Sequence, residues 1–136
     1  MKHFWEHLMI DLYWVRDEKT EPKDNFVSLF DKLVEKCEMN KLGESVSYVV
    51  DELENSERDF WGITAFQVVK ESHISIHTFK WIWFVSMDIY TCKSLPEFDI
   101  IDIVKSYFET DDVEVRFVKR WLRYERALKK FLEQKK

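Results

Sequence analysis

Between Ser72 and Cys92 the chain carries a hydroxyl, two imidazoles and a thiol whose spacing lets them share a surface. On a strand running from about Ser72 to Phe79, His73, Ser75 and His77 project from one face, because side chains alternate along a strand. A following strand ends at Cys92, where Thr91-Cys92-Lys93-Ser94 begins a loop. Three readings of this set compete. The histidines are satisfied by hydrogen bonds on a half-buried sheet, or they bind a metal, or the segment holds a nucleophile with a nearby acid and base. A metal is not expected, since His73-x-x-x-His77 needs a helix to bring both rings to one ion and the β-branched residues here disfavour one. The other two stay open on spacing alone.

The elements that must position these groups are legible from periodicity. His7 to Trp14 alternates, with Leu8, Ile10, Leu12 and Trp14 on one face. Asp24 is placed to cap a helix whose Phe26, Leu29, Phe30, Leu33, Val34 and Cys37 recur at helical spacing, and Gly43 suits the turn after it. Strands are predicted over 45–53, 60–70, 73–79 and 82–92, all rich in Val, Ile, Thr and aromatic residues. Pro96 fits the first turn of a second helix with Phe98, Ile101, Val104 and Phe108, and Val113, Val115 and Phe117 alternate as a last strand. Arg123 to Lys136 reads as a more exposed third helix. This order implies an α+β sandwich, an antiparallel-rich sheet with helices on one face.

At 136 residues, 46% of them apolar, the chain holds one domain with one core. Its formal charge of −5 is spread along the sequence, which gives no footprint for nucleic acid or an anionic membrane and leaves a small-molecule substrate or a protein partner. No apolar run approaches the roughly 18 residues of a membrane span, and His3, Glu6 and His7 do not suit a secretory leader. A cytoplasmic protein with reduced cysteines is expected. Cys37 closes an apolar helical stripe, so Cys92 alone is placed for chemistry.

The blocks Glu71-Ser72-His73-Ile74-Ser75-Ile76-His77-Thr78 and Met87-Asp88-Ile89-Tyr90-Thr91-Cys92 resemble the core of the prokaryotic S-adenosylmethionine decarboxylase family. Glu6-His7-Leu8-Met9-Ile10-Asp11-Leu12-Tyr13 is similar to that family's first strand. The resemblance implies a self-processing enzyme. The chain would split between Glu71 and Ser72, giving pieces 1–71 and 72–136, and Ser72 would become a pyruvoyl group, an electron sink that forms a Schiff base with the substrate amine. On the same resemblance His77 assists the elimination step of processing, Cys92 reprotonates the substrate carbon, and Thr64 stands where the family has a serine supporting the processing intermediate. A homodimer with four-layer αββα packing is implied as well, and an apolar sheet face in need of cover points the same way.

Some of the family's pattern is absent. Its Ser-Pro-x-Gly-Val-Ser-Gly stretch reads Asp59-Phe60-Trp61-Gly62-Ile63-Thr64-Ala65, and the aromatic residue that stacks on adenine aligns near Arg58. Where the family has Trp-Pro-Glu, with the carboxylate on the ribose, this chain has Phe79-Lys80-Trp81. Loss of both nucleoside contacts favours a basic amino acid, arginine or ornithine, over S-adenosylmethionine as substrate, with polyamine synthesis as the setting either way. Asp11, Glu44, Asp59 and Asp88 are candidates for its cationic end, and Phe79, Trp81 and Trp83 for filling the vacated nucleoside space. A non-catalytic paralogue is the alternative from another class, although it would need none of Glu71, Ser72, His77 and Cys92.

Overall fold

The computed structural model describes residues 5–50 and 61–135. Six strands form one sheet: β1 (Trp5–Tyr13), β2 (Val46–Val50), β3 (Gly62–Val69), β4 (Ser72–Phe79), β5 (Phe84–Thr91) and β6 (Val113–Arg120). Their order across the sheet is β2-β3-β4-β5-β1-β6, with every neighbouring pair antiparallel. The helices are α1 (Asp17–Thr20), α2 (Val27–Lys36), α3 (Glu97–Phe108) and α4 (Tyr124–Gln134), and a single 3-10 turn spans Lys80–Ile82. The α+β class and the element order expected from periodicity are therefore observed.

The core lies between the sheet and α2 with α3. Leu8, Ile10 and Leu12 of β1, Ile74 and Ile76 of β4 and Val85, Met87 and Ile89 of β5 face Leu29, Phe30 and Leu33 of α2 and Ile100, Val104 and Phe108 of α3, all of them buried. Each such side chain contributes about 1.5–3 kcal/mol through loss of apolar surface to water. Asp24 holds the start of α2 by accepting hydrogen bonds from the Phe26 and Ser28 amides. Burial works against its ionisation, but the Ser28 and Phe26 bonds outweigh that and keep the carboxyl below its ordinary value.

Four expectations need correction. Trp14 does not continue the core face: β1 ends at Tyr13, Trp14 turns to a φ of +63° and its ring is exposed. Phe98 points to solvent, because α3 buries the stripe Ile100, Val104 and Phe108, and Pro96 precedes that helix instead of lying within its first turn. The sheet face away from the helices is not simply apolar. Registry lines up three cross-strand rows there: His7, Tyr90, His73 and Val68; then Met9, Asp88, Ser75 and Phe66; then Asp11, Ser86, His77 and Thr64. A polar and aromatic surface thus runs across the middle of the molecule.

Gly62, the glycine retained from the family's pattern, starts β3 where it crosses the end of β4. A Cβ there would lie 1.8 Å from the Thr78 carbonyl oxygen, and the Thr78 hydroxyl meanwhile accepts the Ile63 amide at 2.8 Å. Gly62→Ala must push two paired strands apart. It is expected to destabilise the fold by about 2 kcal/mol or more, seen as a lower urea midpoint with an unchanged slope; an unaltered midpoint would show the strands yield freely.

Candidate active site

The hairpin joining β3 to β4 has only Lys70 and Glu71 between the paired residues Val69 and Ser72. To re-enter the sheet after so tight a turn, Ser72 takes a φ of +143°, a conformation that L-residues rarely adopt and that costs roughly 1–3 kcal/mol. The strained torsion therefore lies at Ser72, directly after the Glu71–Ser72 peptide. Its carbonyl oxygen, on Glu71, accepts a hydrogen bond from the backbone N–H of Cys92 at 3.3 Å. A donor on a carbonyl oxygen stabilises the charge that builds there when a nucleophile attacks its carbon. The nucleophile is adjacent, since the Ser72 hydroxyl lies 3.1 Å from Nδ1 of His73.

Both sides of this bond are held. Asn40 donates its backbone N–H and its side-chain Nδ2 to the two carboxylate oxygens of Glu71, at 2.9 and 3.0 Å. The Asn40 carbonyl accepts the Lys70 amide, Lys41 bridges to Val69, and a Lys41–Asp31 ion pair ties the segment to α2. Burial alone would raise the Glu71 carboxyl, but the Asn40 donors and the Lys93 charge prevail and lower it. On the other side, the loop carrying Cys92 is fixed by the Lys93 amide on the Thr91 hydroxyl at 3.1 Å, the Leu95 amide on the buried Glu6 carboxylate at 2.8 Å, and the Lys93 ammonium on the Glu38 carbonyl at 2.6 Å. Cys92 itself is exposed, whereas Cys37 is buried, its thiol pushed up to about 11 by burial.

The structure thus brings Glu71, Ser72 and Cys92 together, but not His77. It lies five steps further along strand β4 than Ser72, about 17 Å at roughly 3.4 Å per residue. His77 instead pairs with Thr64, whose hydroxyl is 3.2 Å from the imidazole Nδ1. These two line a cleft of about 190 Å³ together with Trp61, Gly62 and Phe79. Threonine therefore offers the hydroxyl that the family's serine would.

The weaker sequence candidates scatter. Asp11 accepts the Ser86 hydroxyl at 2.8 Å, and Asp88 is bound by His7 at 2.7 Å and by Ser75 at 3.4 Å, so neither waits for a cation. Glu44 sits in an exposed loop before β2. Trp81 is exposed on the 3-10 turn, and Trp83 packs against Trp14 instead of entering the cleft. Arg58 and Asp59 lie outside the described residues. No cluster of three or more potential metal ligands occurs among the described residues.

Sequence reasoning missed Asn40, whose approach to Glu71 depends on a bridge between distant segments and leaves no local signal. It also missed an aromatic group beside Ser72: Tyr90 contacts Trp5, His7 and His73, Trp5 stacks on Trp121 at 4.5 Å, and the Trp121 indole donates to the Tyr90 hydroxyl at 2.6 Å. The alternation of β5 could have placed Tyr90 on this face.

Residues 6–121 match the S-adenosylmethionine decarboxylase family, and the chain belongs to it. That makes it a member of a family of pyruvoyl-dependent carboxy-lyases, in which the pyruvoyl group forms from a serine by self-cleavage. It is 27% identical to the S-adenosylmethionine decarboxylase proenzyme of Methanococcus vannielii over 88% of this chain and 92% of that protein. With the proenzyme of Methanococcus aeolicus it is 30% identical over 88% of this chain and 96% of that one. The adenosylmethionine decarboxylase of Aquifex aeolicus has a similar fold, with a TM-score of 0.68 and 23% identity, covering 88% of this chain and 92% of that one.

Asn40→Ala removes a donor from the Glu71 carboxylate, a charge-assisted bond worth about 1.5–3 kcal/mol. If the clamp presents the scissile bond, self-cleavage slows about tenfold, followed as intact chain remaining against time by mass spectrometry. An unchanged rate would show that the clamp is dispensable.

Proposed function

We propose that this chain is a self-processing S-adenosylmethionine decarboxylase that cleaves itself between Glu71 and Ser72. The observation that carries the reading is the strained Ser72 beside a Glu71 carbonyl already bonded to the Cys92 amide. A serine hydroxyl next to a peptide carbonyl that already accepts a backbone N–H is what conversion of Ser72 to a pyruvoyl group requires, so the residues present fit the group. A pyruvoyl group supplies an electrophilic carbonyl that takes up the electrons released with carbon dioxide. Cys92, exposed at the end of β5, is the proton donor to the substrate carbon.

The named substrate of the relatives supports S-adenosylmethionine over arginine or ornithine. So does the site, since Asp11 and Asp88, the described sheet carboxylates suited to a basic amino acid, are already engaged. Trp61 and Phe79 in the cleft suit a purine. Trp81 in place of a ribose-binding carboxylate and Arg58 in place of an adenine-stacking aromatic residue favour a different substrate.

The working unit in this reading is a homodimer. Ser72 and His77 sit at opposite ends of β4, and a twofold axis running across the strands near Ser75 lays the Ser72 end of one sheet over the His77 end of the other. Face-to-face sheets pack about 10 Å apart, close enough for side chains of both to meet. The Thr64–His77 pair then acts on the Ser72 of the second copy.

Carbon dioxide release from S-adenosylmethionine, arginine, ornithine and lysine tests the substrate. Turnover of S-adenosylmethionine is expected to exceed the others by at least 100-fold, in line with discrimination by a site built around polar groups; preferred turnover of arginine or ornithine would overturn this choice. Co-expression of Ser72→Ala with His77→Ala chains tests the dimer. The His77→Ala chain should be cleaved in the mixture and not when alone, and failure of the mixture to cleave would mean that His77 does not act across the twofold.

A further inference from the structure

We propose that His73 is the general base of self-cleavage, accepting the Ser72 hydroxyl proton as that oxygen attacks the Glu71 carbonyl. This rests on the self-processing reading above and assigns a role to a residue at the scissile bond that neither Thr64 nor His77 reaches within one chain. Adjacent residues of a strand normally point to opposite faces. Here the φ of +143° at Ser72 breaks that alternation, and the hydroxyl oxygen comes to 3.1 Å from His73 Nδ1, within the reach a general base needs.

The ring is fixed for the task. It stacks on Phe66 with centroids 5.0 Å apart and an interplanar angle of 24°, and Tyr90 closes the other side at 5.9 Å. The titratable and charged groups that face it are Asp88 and Tyr90 from β5, His7 from β1, Arg120 of β6 over the Tyr90 ring, and Cys92 beyond β5. Asp88 is engaged by His7 at 2.7 Å, which blunts its pull on His73. Burial lowers the His73 pKa below 6.5, the His7 charge lowers it further, and Asp88 opposes both without reversing them. This favours the uncharged ring, which takes the Ser72 proton at Nδ1 in the tautomer that carries its own proton on Nε2.

The step balances without a co-reactant. The Ser72 oxygen bonds to the Glu71 carbonyl carbon while its proton passes to His73 Nδ1. The carbon–nitrogen bond of the peptide then breaks, and the same proton moves from Nδ1 to the departing Ser72 nitrogen. The product is an ester between Glu71 and Ser72 with a free amine, and His73 is neutral again. The charge on the former carbonyl oxygen is held by the Cys92 amide throughout.

Precursor made in a cell-free reaction, with cleavage followed by intact mass with and without hydroxylamine, tests this. Hydroxylamine cuts the ester but not the peptide, so it separates ester formation from the later elimination. His73→Gln should slow cleavage about 100-fold or more in both conditions, and added imidazole should restore cleavage to His73→Ala. Wild-type cleavage should fall as the pH drops through the His73 pKa, which lies below the ordinary histidine value, because protonation removes the base. Cleavage of His73→Gln at the wild-type rate, or its rapid rescue by hydroxylamine alone, would overturn the proposal. Should the variants not fold, a wild-type rate that is flat with pH through that range would do so by itself. An uncleaved wild type would instead remove the self-processing reading, and this inference with it.

Discussion

The site depends on one backbone constraint. Two residues are all that connect β3 to β4, and the price of that short turn is a serine forced to a φ of +143°. Antiparallel pairing of β4 with β5 on one side and β3 on the other over-determines its position, so the strain cannot relax by sliding a strand: a slip of one residue would turn Ile74 and Ile76 out of the core. The Asn40 clamp and the Cys92 amide then hold the two sides of the same peptide.

From that turn the rest of the architecture follows. β1 lies in the sheet between β5 and β6 and lends Glu6 to fix the loop after Cys92, His7 to engage Asp88, and Trp5 to the aromatic group around Tyr90. Helices α2 and α3 cover the opposite face, while Trp121, just before α4, lies on the chemistry-bearing face against Trp5 and Tyr90. The separation of the Ser72 and His77 ends of β4 has the same origin, because a straight strand cannot bring its two ends together. In the proposed homodimer the second copy of the sheet would bring its own His77 end over this Ser72 end.

Much of this was legible in the sequence because the decisive pattern was the two-residue period of the strands. Alternation through His73, Ser75 and His77 placed these residues on one face correctly, and Leu29, Phe30 and Leu33 announced the helix that covers the other. Periodicity failed where a strand ended, as at Trp14, since the change to positive φ there is set by the Val15 to Trp83 hydrogen bond across the sheet. It failed for Phe98 because two helical stripes fit the same residues and only packing against α2 chooses between them. Asn40 was invisible for a different reason: its contact with Glu71 joins segments far apart in the chain and is made largely by loop backbone. The substrate preference drawn from Arg58 and Trp81 rested on residues missing from a family pattern, whereas Asp11 and Asp88 bond to Ser86, His7 and Ser75 within the sheet.

The central claim is that the Glu71–Ser72 bond breaks by itself. Intact mass of the purified protein beside a Ser72→Ala control measures this directly. The account predicts two chains in the wild type, joined at Glu71 and Ser72 in the sequence, the second blocked at its N-terminus, and a single whole chain in the control. A wild type that stays whole under native conditions would contradict it.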